Sequence, residues 1–136
     1  AVDEFQHIMH QNPDLTPDQR NQTWLELEHK YRPWIDFDNL PFYGRGAGWQ
    51  RQLHIYECPF YYIDYCLSTM AALQFFLLSL HDQKDAWERY LRLVRRAGTA
   101  SYTELCETAG LQVPFRDGSI KAIAQQMSQW IAGHQV

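Results

Sequence analysis

Cysteine is scarce in these 136 residues, with only Cys58, Cys66 and Cys106 present. They are odd in number and without CxxC spacing, which excludes a disulfide framework and a cysteine-based zinc site. Reduced thiols point instead to a cytoplasmic protein. A dominant charge is missing too. Twelve basic and sixteen acidic residues leave a formal net charge of −4, and no Lys/Arg cluster tracks a face, so nucleic acid is not an expected partner. The acidic, polar start lacks the basic residues and apolar run of a signal peptide. No segment alternates apolar and polar residues as a half-buried strand does, and no internal repeat is visible. The chain opens Ala1-Val2-Asp3-Glu4-Phe5 with neither Met nor a capping residue, a start that reads like mid-helix in a longer protein.

What is present is helical and rich in aromatics. Five Trp and eight Tyr suit a thick core or ligand-facing walls. Val2, Phe5, Ile8 and Met9 have helical spacing. Thr16-Pro17-Asp18-Gln19 reads as a capping box with proline in the first helical position, followed by the apolar stripe Trp24, Leu25, Leu27 and Tyr31. Residues 36–48 read as loop, with Asp36 and Asp38 as turn formers and Gly44, Gly46 and Gly48 as flexible points. No strand precedes those glycines and no Lys-Ser/Thr follows, so they make no phosphate loop. Residues 49–56 read as a short helix.

From Phe60 to Leu80 there is neither Gly nor Pro, and Pro59 stands where a helix begins comfortably. This apolar run approaches the roughly 20 residues that cross a bilayer. Asp64, Ser68, Thr69, Gln74 and Ser79 interrupt it, and basic flanks are absent, so a central buried helix is expected rather than a membrane span. Beyond it, Ala86, Trp87, Tyr90, Leu91 and Val94 mark an amphipathic helix closed by Arg95-Arg96-Ala97-Gly98. Ser101-Tyr102-Thr103-Glu104 is a second capping box. Asp117 is expected to cap a last helix whose inward face is Ile120, Ile123, Met127, Trp130 and Ile131. The expected fold is a single all-α domain over residues 1–136, with six or seven helices around the helix from Phe60 to Leu80.

Candidate chemistry is sparse. His7 and His10, with Glu4 one turn earlier, lack the i, i+4 histidines and adjacent glutamate of an HExxH zinc site, and read as solvated surface residues. No Gly-x-Ser-x-Gly surrounds Ser68, Ser79 or Ser101. Cys58 lies near a helix start, where a thiolate could be stabilised, but reads as an inert cytosolic thiol. The stretch His54-Ile55-Tyr56-Glu57-Cys58-Pro59-Phe60-Tyr61-Tyr62-Ile63-Asp64-Tyr65 stands out. Imidazole and phenol groups are suitable donors to an oxyanion on a carbonyl, though nothing beside them activates water. On composition alone, these tyrosines bury their rings and hydrogen-bond locally.

The block from Gly48 to Tyr65, with Ala1-Val2-Asp3-Glu4-Phe5-Gln6-His7 upstream and the stretches from Ala86 to Leu91 and Ala109 to Leu111 downstream, resembles the oligoendopeptidase F branch of the thimet-oligopeptidase-like zinc metallopeptidases. The resemblance spans essentially the whole chain and corresponds to the C-terminal part of the catalytic domain. It implies a helical, clam-shaped cytoplasmic enzyme that hydrolyses short peptides in an enclosed cleft. Zinc in such an enzyme is held by an HExxH helix and a later glutamate, upstream of the matching region, and its bound water attacks the peptide carbonyl. This sequence has no HExxH, so no metal is expected on this chain alone, and alone it is expected to be inactive. His54 matches the family histidine, and Tyr61 and Tyr65 match its tyrosines, which bind substrate and polarise the carbonyl. Relatives vary in tyrosine spacing, so Tyr62 stands beside them as a substrate-binding candidate. The partners this implies are short peptide substrates and the missing N-terminal catalytic segment. The alternative is a non-catalytic helical module that binds or self-associates.

Overall fold

The computed structural model describes residues 1–37 and 39–134; Asp38, read above as a turn former, lies outside them. Among these residues there are seven α-helices and no strand. They are α1 (Val2–Gln11), α2 (Pro17–Tyr31), α3 (Leu53–Glu57), α4 (Ile63–His81), α5 (Gln83–Arg96), α6 (Tyr102–Ala109) and α7 (Ser119–Gly133), with a 3-10 turn at Ala47–Arg51. The chain divides into two compact units, Ala1–Asp64 and Tyr65–Val136.

In the first unit, both halves of the Thr16/Gln19 capping box form. Thr16 Oγ1 accepts from the Gln19 amide, and Gln19 Oε1 accepts from the Thr16 amide. Two orphan donors of the first turn are thereby satisfied. The core is Val2 and Phe5 of α1 against Trp24 and Leu27 of α2. Phe5 meets Trp24 edge-to-face at 5.2 Å between centroids, the arrangement the ring quadrupoles favour. At the surface, Glu4 accepts hydrogen bonds from Lys30 and Tyr31, which hold its carboxyl below the usual carboxylate range.

The glycine-rich stretch is packed rather than loose. Gly46 has φ +72°, and a Cβ there would lie 1.9 Å from the backbone carbonyl oxygen of Asn21. A Cβ on Gly48 would lie 2.8 Å from the indole nitrogen of Trp24. The Trp49 indole N–H also donates to Asn21 Oδ1 at 2.9 Å. These glycines are therefore points of close approach to α2, which corrects the reading of Gly46 and Gly48 as flexible.

In the second unit, Ser101 and Glu104 close their capping box as expected, and Asp82 caps α5 by accepting from the amides of Lys84 and Asp85. Cys106, Ala109, Leu111 and Val113 form a core onto which Ala71, Phe75 and Leu78 of α4 pack. Burial raises the Cys106 thiol, as befits a core cysteine. Gln74, the buried residue of α4, pairs both ways with the backbone of Gln112, accepting at 2.7 Å and donating at 3.1 Å.

Three expectations are corrected here. The long helix begins at Ile63, because Phe60 has φ +63° and cannot belong to a right-handed helix. It is also not buried: only 11% of its most apolar window is enclosed, although by length and composition it could cross a membrane. Its apolar residues spread around the helix, and one small core covers only part of them. Nor does Asp117 cap α7. The cap position falls to Gly118, at φ +78°, with no side-chain cap. On that helix Ile123 is buried, but Ile120 and Ile131 are about half exposed, at 53% and 52%.

The packing of Gly46 yields a test. Gly46→Ala combines a left-handed backbone with a backbone clash and is expected to destabilise the chain by at least about 2 kcal/mol. Gly98→Ala, also at positive φ but with open space around it, is expected to cost only about 1 kcal/mol. Equal losses in chemical denaturation would contradict the close approach.

Candidate functional site

The site is assembled from two short pieces of the first unit. Helix α3 carries His54 and ends where the Cys58 amide bonds back to the His54 carbonyl at 3.1 Å. A turn through Pro59 and Phe60 follows, closed by the Tyr61 amide on the Cys58 carbonyl at 3.1 Å and the Asp64 amide on the Tyr61 carbonyl at 3.0 Å. This double-back returns Tyr61 and Tyr62 to His54. The imidazole lies parallel to the Tyr61 ring at 6.0 Å between centroids, with 2° between planes. Tyr62 approaches the imidazole edge-on at 5.1 Å.

The three rings are unequally anchored. Tyr62 is half-buried against the Phe5–Trp24 core, as is Ile55 of α3. Tyr61 is 48% exposed and His54 half-buried. Tyr56, on the same short helix, stacks on Trp49 at 6.1 Å, and desolvation raises its phenol above the ordinary value. The arrangement offers an imidazole and a phenol side by side, two groups able to donate to one carbonyl oxygen. Tyr65, the fourth candidate, stands in the first turn of α4 and belongs to the second unit, where it is 47% exposed.

The turn at Phe60 depends on a residue that sequence reading passed over. Gln6 is 1% exposed, and its side-chain oxygen accepts the Phe60 amide at 2.8 Å across 54 residues. A left-handed backbone at a bulky L-residue costs about 1–2 kcal/mol, so such a turn persists only where its surroundings impose it. His7 and His10 contribute as well. Both are exposed at the surface, as the sequence suggested, and their rings also flank the turn, 4.8 and 4.9 Å from the Phe60 ring. The one sequence signal is that Gln6 and His10 stand four residues apart on one helix face, which does not reveal what that face meets.

Metal-ligating side chains do not converge. Among the described residues, no group of three His, Cys, Asp or Glu could hold a metal ion. The described residues therefore offer no donor set that fits a zinc ion.

No protein-family model and no curated protein matches the chain. Solved structures do. The chain superimposes on a PZ peptidase A, solved with an inhibitor, at TM-score 0.92 and 42% identity over 98% of its own length. A chain assigned as oligoendopeptidase F matches at TM-score 0.91 and 41% identity, again over 98%. Another, from Bacillus anthracis str. Ames, matches at TM-score 0.72 and 33% identity. The fold is thus one found in part of larger peptidases. More narrowly, the chain belongs to the oligoendopeptidase F family. It spans 24% of the length of the first two structures and 20% of the third, as a C-terminal portion of such an enzyme would.

The unequal anchoring of the rings predicts unequal mutational costs. Tyr62→Ala is expected to destabilise the chain by about 2 kcal/mol through lost core contact. Tyr61→Ala is expected to stay within about 0.5 kcal/mol. Matching shifts in the denaturation midpoint would mean that Tyr62 is not a core residue.

Proposed function

We propose that the chain supplies the substrate-facing wall of a zinc-dependent oligopeptidase that hydrolyses short peptides in the cytoplasm. The observation that carries this reading is the proximity of His54 to Tyr61 and Tyr62, at 6.0 and 5.1 Å between ring centroids. His54 and one tyrosine donate hydrogen bonds to the carbonyl oxygen of the scissile peptide, stabilising the charge that develops there. Tyr61 and Tyr65 are the family-matched donors, and Tyr62 holds the substrate backbone or takes their place. Family membership at 41–42% identity supports the peptidase class. Zinc is assigned to a segment bearing HExxH, which these residues lack, and no step is attributed to this chain through it.

The 136-residue protein is therefore expected to be inactive by itself. Incubated with zinc and a quenched fluorescent pentapeptide, it should show no cleavage beyond a chelator-treated control; chelator-sensitive turnover would refute the division of labour. When joined to an HExxH-bearing segment, His54→Ala should lower kcat by on the order of 100-fold, the usual effect of losing one oxyanion donor. An unchanged kcat removes His54 from the reaction.

A second reading, a helical module that binds or self-associates, is favoured by one observation. Trp87, Tyr90 and Val94 of α5 recur at helical spacing and are 58%, 41% and 44% exposed, beside an open cleft of about 940 Å³ that includes Phe75 and Phe76. Such a row is unusual on a free surface. In the peptidase reading it packs against the remaining enzyme segment. Sedimentation over a hundredfold concentration range separates the two. A tight dimer abolished by Trp87→Ser supports the module, whereas a monomer at all concentrations leaves the row for the missing segment.

A further inference from the structure

We propose that Gln6 is a positioning residue for the His54–Tyr61–Tyr62 cluster, acting through the backbone of Phe60. The inference rests on the reading that this cluster faces substrate, and it adds a residue remote from the cluster in sequence. Phe60 immediately precedes Tyr61, so its backbone angles decide where both tyrosines lie relative to α3. Relaxing φ from +63° to a right-handed value would rotate the following chain by roughly 120°. The parallel approach of Tyr61 to His54 would then be lost.

Three residues of α1, Gln6, His7 and His10, meet Phe60. The Phe60 amide can only donate, so the acceptor facing it must be the Gln6 side-chain oxygen, at 2.8 Å. The Gln6 side-chain nitrogen, Nε2, donates to the Val2 carbonyl at 3.4 Å, within α1 itself. Gln6 is thus buried with both ends engaged, the condition under which a polar side chain is tolerated in a core. His7 and His10 close on the Phe60 ring at 4.8 and 4.9 Å. A glutamine serving stability alone could be replaced by an apolar residue of similar length without moving the rings above it. A glutamine that sets the turn cannot.

The experiment is NMR on the 136-residue chain. In the unaltered protein the Phe60 amide should exchange slowly with solvent; unprotected exchange overturns the proposal directly. In Gln6→Met, exchange at Phe60 should accelerate about ten-fold, the worth of one hydrogen bond. Nuclear Overhauser contacts between the His54 and Tyr62 rings should disappear while far-UV helicity is retained. Retained helicity with unchanged ring contacts would mean that Gln6 only fills the core. Should Gln6→Met fail to fold, the double variant with Phe60→Gly decides, because glycine adopts positive φ without a holder. Folding of the double variant supports the proposal, and its failure overturns it. None of these readouts uses peptide turnover, so a failed peptidase reading and a failed clamp are told apart.

Discussion

The first unit is organised by one hydrogen bond, from the Phe60 amide to the buried side chain of Gln6. On one side of it stands the Phe5–Trp24 core, on which α1 is fixed. On the other stand His54, Tyr61 and Tyr62, whose spacing follows from a turn that an L-phenylalanine would not adopt unaided. The core supplies rigidity, and the bond transmits it to residues that are themselves half exposed. An exposed imidazole and phenol ordinarily lose their mutual geometry to rotamer freedom. Here the adjoining backbone is fixed from beneath, so the two rings meet with little left to chance. That is the pre-organisation a carbonyl-binding wall requires, since donors that must reorganise during reaction stabilise less.

Much of the local structure was legible in the sequence because local rules decide it. The capping boxes at Thr16/Gln19 and Ser101/Glu104 each span four residues and need no knowledge of the rest of the fold. The candidate site was named from a resemblance carried by the block ending at Tyr65, and its geometry was not legible there. Pro59 signalled a helix start, and sterically it was a reasonable one. Yet Phe60 turns left-handed and regular helix waits until Ile63. Nothing within ten residues of Phe60 announces this, because the holder is 54 residues away. The glycines failed for a related reason. Gly46 and Gly48 look permissive in a string of letters, whereas their role is steric absence opposite Asn21 and Trp24.

The least legible feature was the burial of α4. Hydrophobicity states that a segment requires cover, without saying which atoms provide it. Within the second unit, the Cys106–Val113 core covers Ala71, Phe75 and Leu78, and a helix that is apolar around its circumference has further faces to satisfy. The same imbalance recurs on α5, where Ala86 is buried while Trp87, Tyr90 and Val94 are not, and on α7 at Ile120 and Ile131. Three helices of one unit therefore each carry apolar area in excess of what that unit encloses. The matched peptidases are about four to five times longer than this chain, so in them a surface of this kind has polypeptide available to cover it. Burying apolar residues against a separate part of the enzyme also couples the assembly of the two parts, since each Å² removed from water contributes about 25 cal/mol only when both are in place. A ring cluster set from within its own unit, on a chain whose second unit leaves apolar helix faces open, is the arrangement the proposed role in a larger enzyme calls for.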